Sequence, residues 1–223
     1  KPELLHDYKS VELMFAVAEM REKKSAEEVE AMERAFLIGY QMHTLAMKMC
    51  RPGVVEREIA GAIEGIAKSS GSGLSFPSIV SQHGETLHNL NADGVLEQGR
   101  LLLCDAGCET VDGYCSDMTR TFCFGDPSKR MRDVYDLVLS AQNYVLKHLR
   151  AGMTGREADS LAREFFKANG YDKEFGHSLG HGVGIDIHES PRLSQTNDEP
   201  LPENAVVTVE PGLYIDGFGG VRI

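Results

Sequence analysis

The chain has 223 residues, with 34 acidic against 23 basic side chains and a formal net charge of -11. That length suffices to bury a real core in one domain, and 42% hydrophobic with 26% charged residues excludes disordered and fibrous classes. The acidic surplus repels phosphate backbones and anionic membrane surfaces, so neither nucleic acid nor a membrane is an expected partner.

The start, KPELLHDYKS, has no signal-peptide core. No apolar run reaches the roughly 20 residues of a bilayer span, and a cytoplasmic protein is expected. The five cysteines, Cys50, Cys104, Cys108, Cys115 and Cys123, are odd in number and lack the paired CxxC of a zinc ribbon, so they read as core thiols. Lys1 at one end and GFGGVRI at the other, an apolar run, are unusual termini. The expectation is a fragment: an entry segment over 1–24, after a further N-terminal domain, then one unit over 25–223.

From Ser25 to Arg51, SAEEVEAMERAFLIGYQMHTLAMKMCR sets a Ser N-cap with Glu three residues on, followed by apolar residues at helical spacing. A second helix is predicted from about Val55 to Ser69, ending at Gly71. Strands follow at Leu101–Ala106 and Tyr114–Phe124, around Asp112-Gly113, a hairpin turn signal. Two more helices are predicted near Arg132–Leu149 and Gly155–Asn169, then strands at Ala205–Glu210 and Gly220–Ile223. Helices in blocks favour an α+β fold over a doubly wound parallel sheet.

The two helix pairs align at a fixed offset of 99 residues, that between Lys48 and Lys147. At this offset Arg51 matches Arg150, Gly53 matches Gly152, Arg57 matches Arg156 and Gly71 matches Gly170. An internal duplication makes two similar αβ halves, and a site between them draws residues from both.

Three groups carry chemistry. Asp105 and Asp117 lie on the arms of the hairpin, with a midpoint at residue 111 that places them across from each other; two facing anions repel unless a cation or proton lies between them. The plainer reading, one Asp in the turn and one solvated, fits Asp112 better. GHSLGHGVGIDIHES gathers His177, His181 and His188, three of the eight histidines. Its glycines exclude a helix, and with it a zincin motif, but allow sharp bends and close approach of a ligand. Glu210 ends the apolar run VVTVE, where a carboxylate is costly to bury unless paired or coordinated; alone it decides nothing. One imidazole with several oxygen donors suits Mn²⁺, Co²⁺ or Fe²⁺ better than a structural zinc. A carboxylate-bridged ion pair would polarise a carbonyl and stabilise an oxyanion, which is hydrolytic chemistry.

At these residues the chain resembles the pita-bread metallopeptidases, the family of aminopeptidase P, prolidase and methionine aminopeptidase. The resemblance runs from about Arg21 to Ile223 through REKKSAEEVEAM, LLLCDAGCETVDGYCSDMTRTF, GHSLGHGVGIDIHESPRLS and VVTVEPGLY. It implies two pseudo-symmetric αβ halves around a central curved antiparallel sheet, and two divalent ions, with Mn first and Co, Fe or Zn as alternatives. Asp105 is implied as a chelating ligand of one ion, Asp117 as a bridge, and His181 and Glu210 as ligands of the other. His88 and His188 match histidines that hydrogen-bond the substrate near the scissile carbonyl. His177 matches one lining the pocket after the cut, and Glu210 is also a candidate for proton transfer to the leaving nitrogen.

Asn89 stands where the family usually has an aromatic residue, which makes the local pocket shape an open question. The family run GVRIE also supplies a bridging Glu directly after the position of Ile223, so a chain ending there is expected to hold a partial or empty site. The entry run REKKS and the SDMTRTF and HESPRLS runs favour the proline-specific branch, an Xaa-Pro aminopeptidase or dipeptidase acting on small peptides as a homodimer. The alternatives are a methionine aminopeptidase, a non-catalytic peptide-binding relative, and a metal-free creatinase-type hydrolase.

Overall fold

The computed structural model describes residues 10–223; of the entry segment expected over 1–24, positions 1–9 lie outside the described residues. Helix α1 (Val11–Glu22) is capped by Ser10 and buries no residue. Beyond it Lys24 and Glu189 form a buried ion pair, and Arg21 meets Asp186 at 2.6 Å, so the entry segment is strapped to the second half of the chain.

Two helix pairs build the molecule. Helix α2 (Ala26–Met49) starts on the expected capping box, in which the Ser25 hydroxyl accepts from the Glu28 N–H and the Glu28 carboxylate accepts from the Ser25 N–H. Helix α3 (Glu56–Ser70) follows, and α4 (Lys129–His148) and α5 (Gly155–Ala168) repeat the arrangement. The duplication is visible in the turns. Gly53 and Gly152 share a positive φ, 87° and 85°, which favours glycine. Their amides bond Leu96 O at 2.9 Å and Leu201 O at 2.8 Å, and Arg57 pairs with Asp93 as Arg156 pairs with Asp198. Matching residues make matching bonds.

The strands are antiparallel throughout the described residues. The short ribbon β1 (Gly73–Leu74) with β4 (Cys108–Glu109) lies beside a three-stranded sheet in the order β2 (Ile79–Ser81), β3 (Leu101–Ala106), β5 (Met118–Cys123). Two further ribbons pair β6 (Gly180–Gly182) with β7 (Glu189–Leu193) and β8 (Gly212–Ile215) with β9 (Gly219–Arg222). Strand β3 is buried at every position. Leu102, Cys104 and Ala106 enter the core of the first half with Met42, Ile59 and Ile63, whereas Leu101 enters that of the second half with Val138, Phe166 and Leu213. Alternation along the strand therefore aims Asp105 toward the second half.

Two strand expectations need correction. The second hairpin arm is regular only over Met118–Cys123, because near Ser116 side chains take over the ladder: Cys108 N–H donates to Ser116 Oγ at 3.1 Å, and Ser75 Oγ donates to Ser116 O at 2.7 Å. Residues 205–210 form no regular strand either. They run beside the glycine-rich segment through Thr208 N to His181 O at 2.8 Å and Glu210 N to Leu179 O at 3.0 Å, while the Thr208 hydroxyl takes the return bond from His181 N–H at 3.0 Å.

Candidate metal centre between the halves

The hairpin register sets the first pair of carboxylates. Asp105 stands opposite Thr119, not Asp117, and Glu109 bridges Cys115, so the turn is centred one residue later than the midpoint read from the sequence. Asp117 lies just before β5 and two residues from Thr119, hence on the same face as Asp105 but diagonal to it. Parity was preserved by the shift, so both carboxylates still face the second half.

The second half brings His181 on β6 and Glu210 at the end of the extended 205–210 run. Glycines permit this approach: a side chain at Gly180 would collide with the Thr208 carbonyl, and one at Gly182 with that of Ser190. His181 Nε2 lies 3.4 Å from Asp117 Oδ2 and 3.3 Å from Glu210 Oε1. The ligand atoms of Asp117, His181 and Glu210 all fall within 4.8 Å of one another. His181 Nδ1 donates to Gly182 O at 2.9 Å, which turns Nε2 toward the two carboxylates, where it holds a proton in the cationic ring or offers its lone pair to a cation that takes the proton's place.

Asp105 belongs to the same cleft but not to that triangle. Its Oδ2 accepts from Arg222 Nη2 at 2.6 Å, and its buried Oδ1 has no hydrogen-bond partner among the described residues. Burial, opposed by the Arg222 guanidinium and reinforced by Asp117 and Glu210, lifts its pKa to about 6. For His181, burial pushes the pKa down, but Asp117 and Glu210 reverse this and raise it to about 10. Burial also opposes the charge of Glu210, yet His181, Arg222 and the Thr208 hydroxyl outweigh it and hold that carboxyl below its ordinary value. Three carboxylates thus face one guanidinium and one imidazole. An uncompensated buried charge of this size is costly, and an oxygen-rich set with one imidazole nitrogen and an orphaned carboxylate oxygen suits a hard or borderline divalent cation. The residues fit the group.

The cleft has a volume of about 520 Å³, and every sequence-predicted site residue lines it. His188 is exposed, its ring centre 4.4 Å from that of His181. His88 is exposed at the rim, and the neighbouring Asn89 donates to Ser81 Oγ at 3.0 Å. His177 receives the Tyr214 hydroxyl on Nε2 at 2.7 Å, while its Nδ1 donates to Ser178 O at 2.7 Å.

Sequence reasoning missed Arg222, Tyr214 and Arg192. Arg222 is buried and donates to Asp105, to Thr119 Oγ1 at 3.0 Å and to the Tyr214 hydroxyl at 2.7 Å, which chains Asp105 to His177. Its signal was available: a charged residue inside an apolar run, the same cue that singled out Glu210. Arg192 brings a cation to the cleft, and nothing in its run marks it.

The model of Metallopeptidase family M24 matches residues 30–223, and the chain belongs to that family. Among curated proteins it is 40% identical over 210 residues to the Xaa-Pro dipeptidase of Pyrococcus furiosus, covering 93% of this chain and 60% of that protein. It is 39% identical over 223 residues to an uncharacterized peptidase of Bacillus subtilis, covering 99% of this chain and 63% of that one. Among solved structures, the X-Pro aminopeptidase of Thermotoga maritima superposes with a TM-score of 0.89 at 41% identity, over 93% of this chain and 60% of that one. The prolidase of Pyrococcus furiosus gives 0.89 at 38% identity, over 93% and 62%. The fold is therefore the pita-bread fold of these peptidases. The chain spans about 60% of the length of these relatives.

Proposed function

We propose that this chain is the catalytic domain of a two-metal exopeptidase that cleaves the bond between an N-terminal residue and proline. The observation that carries the proposal is the convergence of Asp117, His181 and Glu210 within 4.8 Å of one another, in a cleft that Asp105 also lines. Asp117, His181 and Glu210 would hold one ion, and Asp105 with Asp117 the other. When bound, such ions act as Lewis acids that polarise the scissile carbonyl.

The chain's own residues do the rest. Glu210, held ionised, accepts a proton from the attacking water and returns it to the leaving nitrogen. His88 and His188, at the cleft wall, hydrogen-bond the substrate beside the scissile carbonyl. His177 lines the pocket for the residue after the cut. Arg192 offers its guanidinium to the terminal carboxylate of a short peptide, a pairing that suits its forked donors. Manganese as the working ion, small peptides with proline in second position as substrates, a homodimer and a cytoplasmic location belong to the same reading. The Xaa-Pro activities in the names of relatives at 37% to 40% identity support it.

The test loads the protein with Mn²⁺ or Co²⁺ and compares Xaa-Pro, Xaa-Pro-Xaa and Met-Ala peptides. Cleavage of the first two over the third is expected. Preference for Met-Ala would replace this reading with a methionine aminopeptidase, and inactivity without ion binding would leave a peptide-binding relative.

A further inference from the structure

One buried ion pair lies outside the chemistry above. Asp159, on α5, is fully buried and accepts from Arg163, one helical turn on, at 2.8 Å from Nε and 3.1 Å from Nη2. Both partners also reach off the helix. Asp159 Oδ1 accepts from the Leu179 N–H at 3.0 Å, while Arg163 donates through Nη1 to Phe175 O at 3.1 Å and through Nη2 to His177 O at 3.0 Å. The guanidinium lies over the Phe175 ring, 4.6 Å from its centre. Alternate residues 175, 177 and 179 are thus held by one pair, and the His177 ring is left to meet Tyr214 in the cleft.

Two observations separate this pair from the scaffold. At the repeat offset the first half has Ala60 and Glu64 in these places, so the same helix pair forms without it. The segment it grips carries no regular structure from residue 171 to 179 and contains Gly176, so its backbone would otherwise be free to sample many conformations. A buried ion pair adds little net stability over apolar residues of the same size. Its use here is geometric.

We propose that Asp159 and Arg163 are a positioning clamp, which fixes the 175–179 segment and thereby His177 against the substrate's second residue, without either touching substrate or ion. This rests on the substrate reading above. The clamp sets affinity for the substrate, and the carboxylates of the cleft set the chemistry.

Two variants test it in the metal-loaded full chain. Arg163→Lys keeps a charge beside Asp159 but loses the fork, and Asp159→Leu/Arg163→Met replaces the pair with apolar volume. Amide hydrogen exchange is expected to lose protection at residues 175–179 while α4 and α5 keep theirs. KM for Xaa-Pro peptides should rise about tenfold with kcat within about threefold of the parent. Parental exchange and KM in Arg163→Lys would overturn the clamp. So would protection lost evenly across α4 and α5, which would make the pair a scaffold element. A parent that cleaves no Xaa-Pro peptide would defeat the substrate reading alone, and the exchange pattern would still decide the clamp.

Discussion

The two halves share a scaffold and differ in what they hang on it. In the first, Asp105 and Asp117 are set by strand register, with β3 and β5 paired over six residues each. In the second, His181 and Glu210 are set by glycines and a threonine hydroxyl, and the neighbouring His177 by the Asp159–Arg163 pair, with little regular structure. A duplicated frame can thus be given one wall by backbone geometry and another by side-chain chemistry. The cleft lies where they meet.

If both walls serve one ion, removing a ligand from either should do equal harm. Asp117→Ala and His181→Ala are each expected to weaken Mn²⁺ binding by about 100-fold or more, since even outer partners of a metal site are worth 10- to 100-fold. The double variant should be little worse than either single one. Calorimetric titration reads all three, and additive losses would mean two separate sites.

Next in size are changes to the core of each half. Ile59→Ala in the first and Phe166→Ala in the second should each cost about 2 to 5 kcal/mol in urea unfolding, as both side chains are fully buried. Arg222→Met strands Asp105 beside Glu210 and should cost a similar 3 to 5 kcal/mol without metal. The loss should shrink when a divalent ion is added, because the ion replaces the missing positive charge. A deficit unchanged by Mn²⁺ would place Arg222 outside the site's charge balance.

The repeat itself is tested by smaller effects. Gly53→Ala and Gly152→Ala put a side chain at positive φ and should each cost about 1 to 2 kcal/mol. Unequal costs would deny the turns a common role. The halves differ at the cap that follows: Thr154 caps α5 through its hydroxyl, whereas its counterpart Val55 gives α3 no side-chain bond. Val55→Thr is therefore expected to stabilise by about 0.5 to 1 kcal/mol, and Thr154→Val to cost about 1 kcal/mol. Thermal unfolding of the pair checks both signs.

What could be read from the sequence follows the same division. The capping box at Ser25, the four helices of the two pairs and the strand Leu101–Ala106 were legible because local pattern dictates them. The turn between Asp105 and Asp117 is centred one residue later than the sequence suggests, which moves the partner of Asp105 by two, from Asp117 to Thr119, and an even slip keeps both carboxylates on one face. Residues 205–210 looked like a strand from their apolar run; the Thr208 hydroxyl, which replaces a backbone partner, carries no periodic signal. Arg222 was passed over because its apolar neighbours spoke for a strand and its partners lie on distant segments. Asp159 and Arg163 look like an ordinary i,i+4 surface pair until the segment they grip is seen.

The central claim is that Asp117, His181 and Glu210, with Asp105 beside them, form a divalent-ion site between the halves. Its most direct test is Mn²⁺ titration of the metal-stripped protein, read by the loss of the free-ion paramagnetic resonance signal. The account predicts saturable binding that His181→Ala weakens by about 100-fold or more. A protein that leaves the Mn²⁺ signal untouched, or a His181→Ala variant that binds as the parent does, would contradict it.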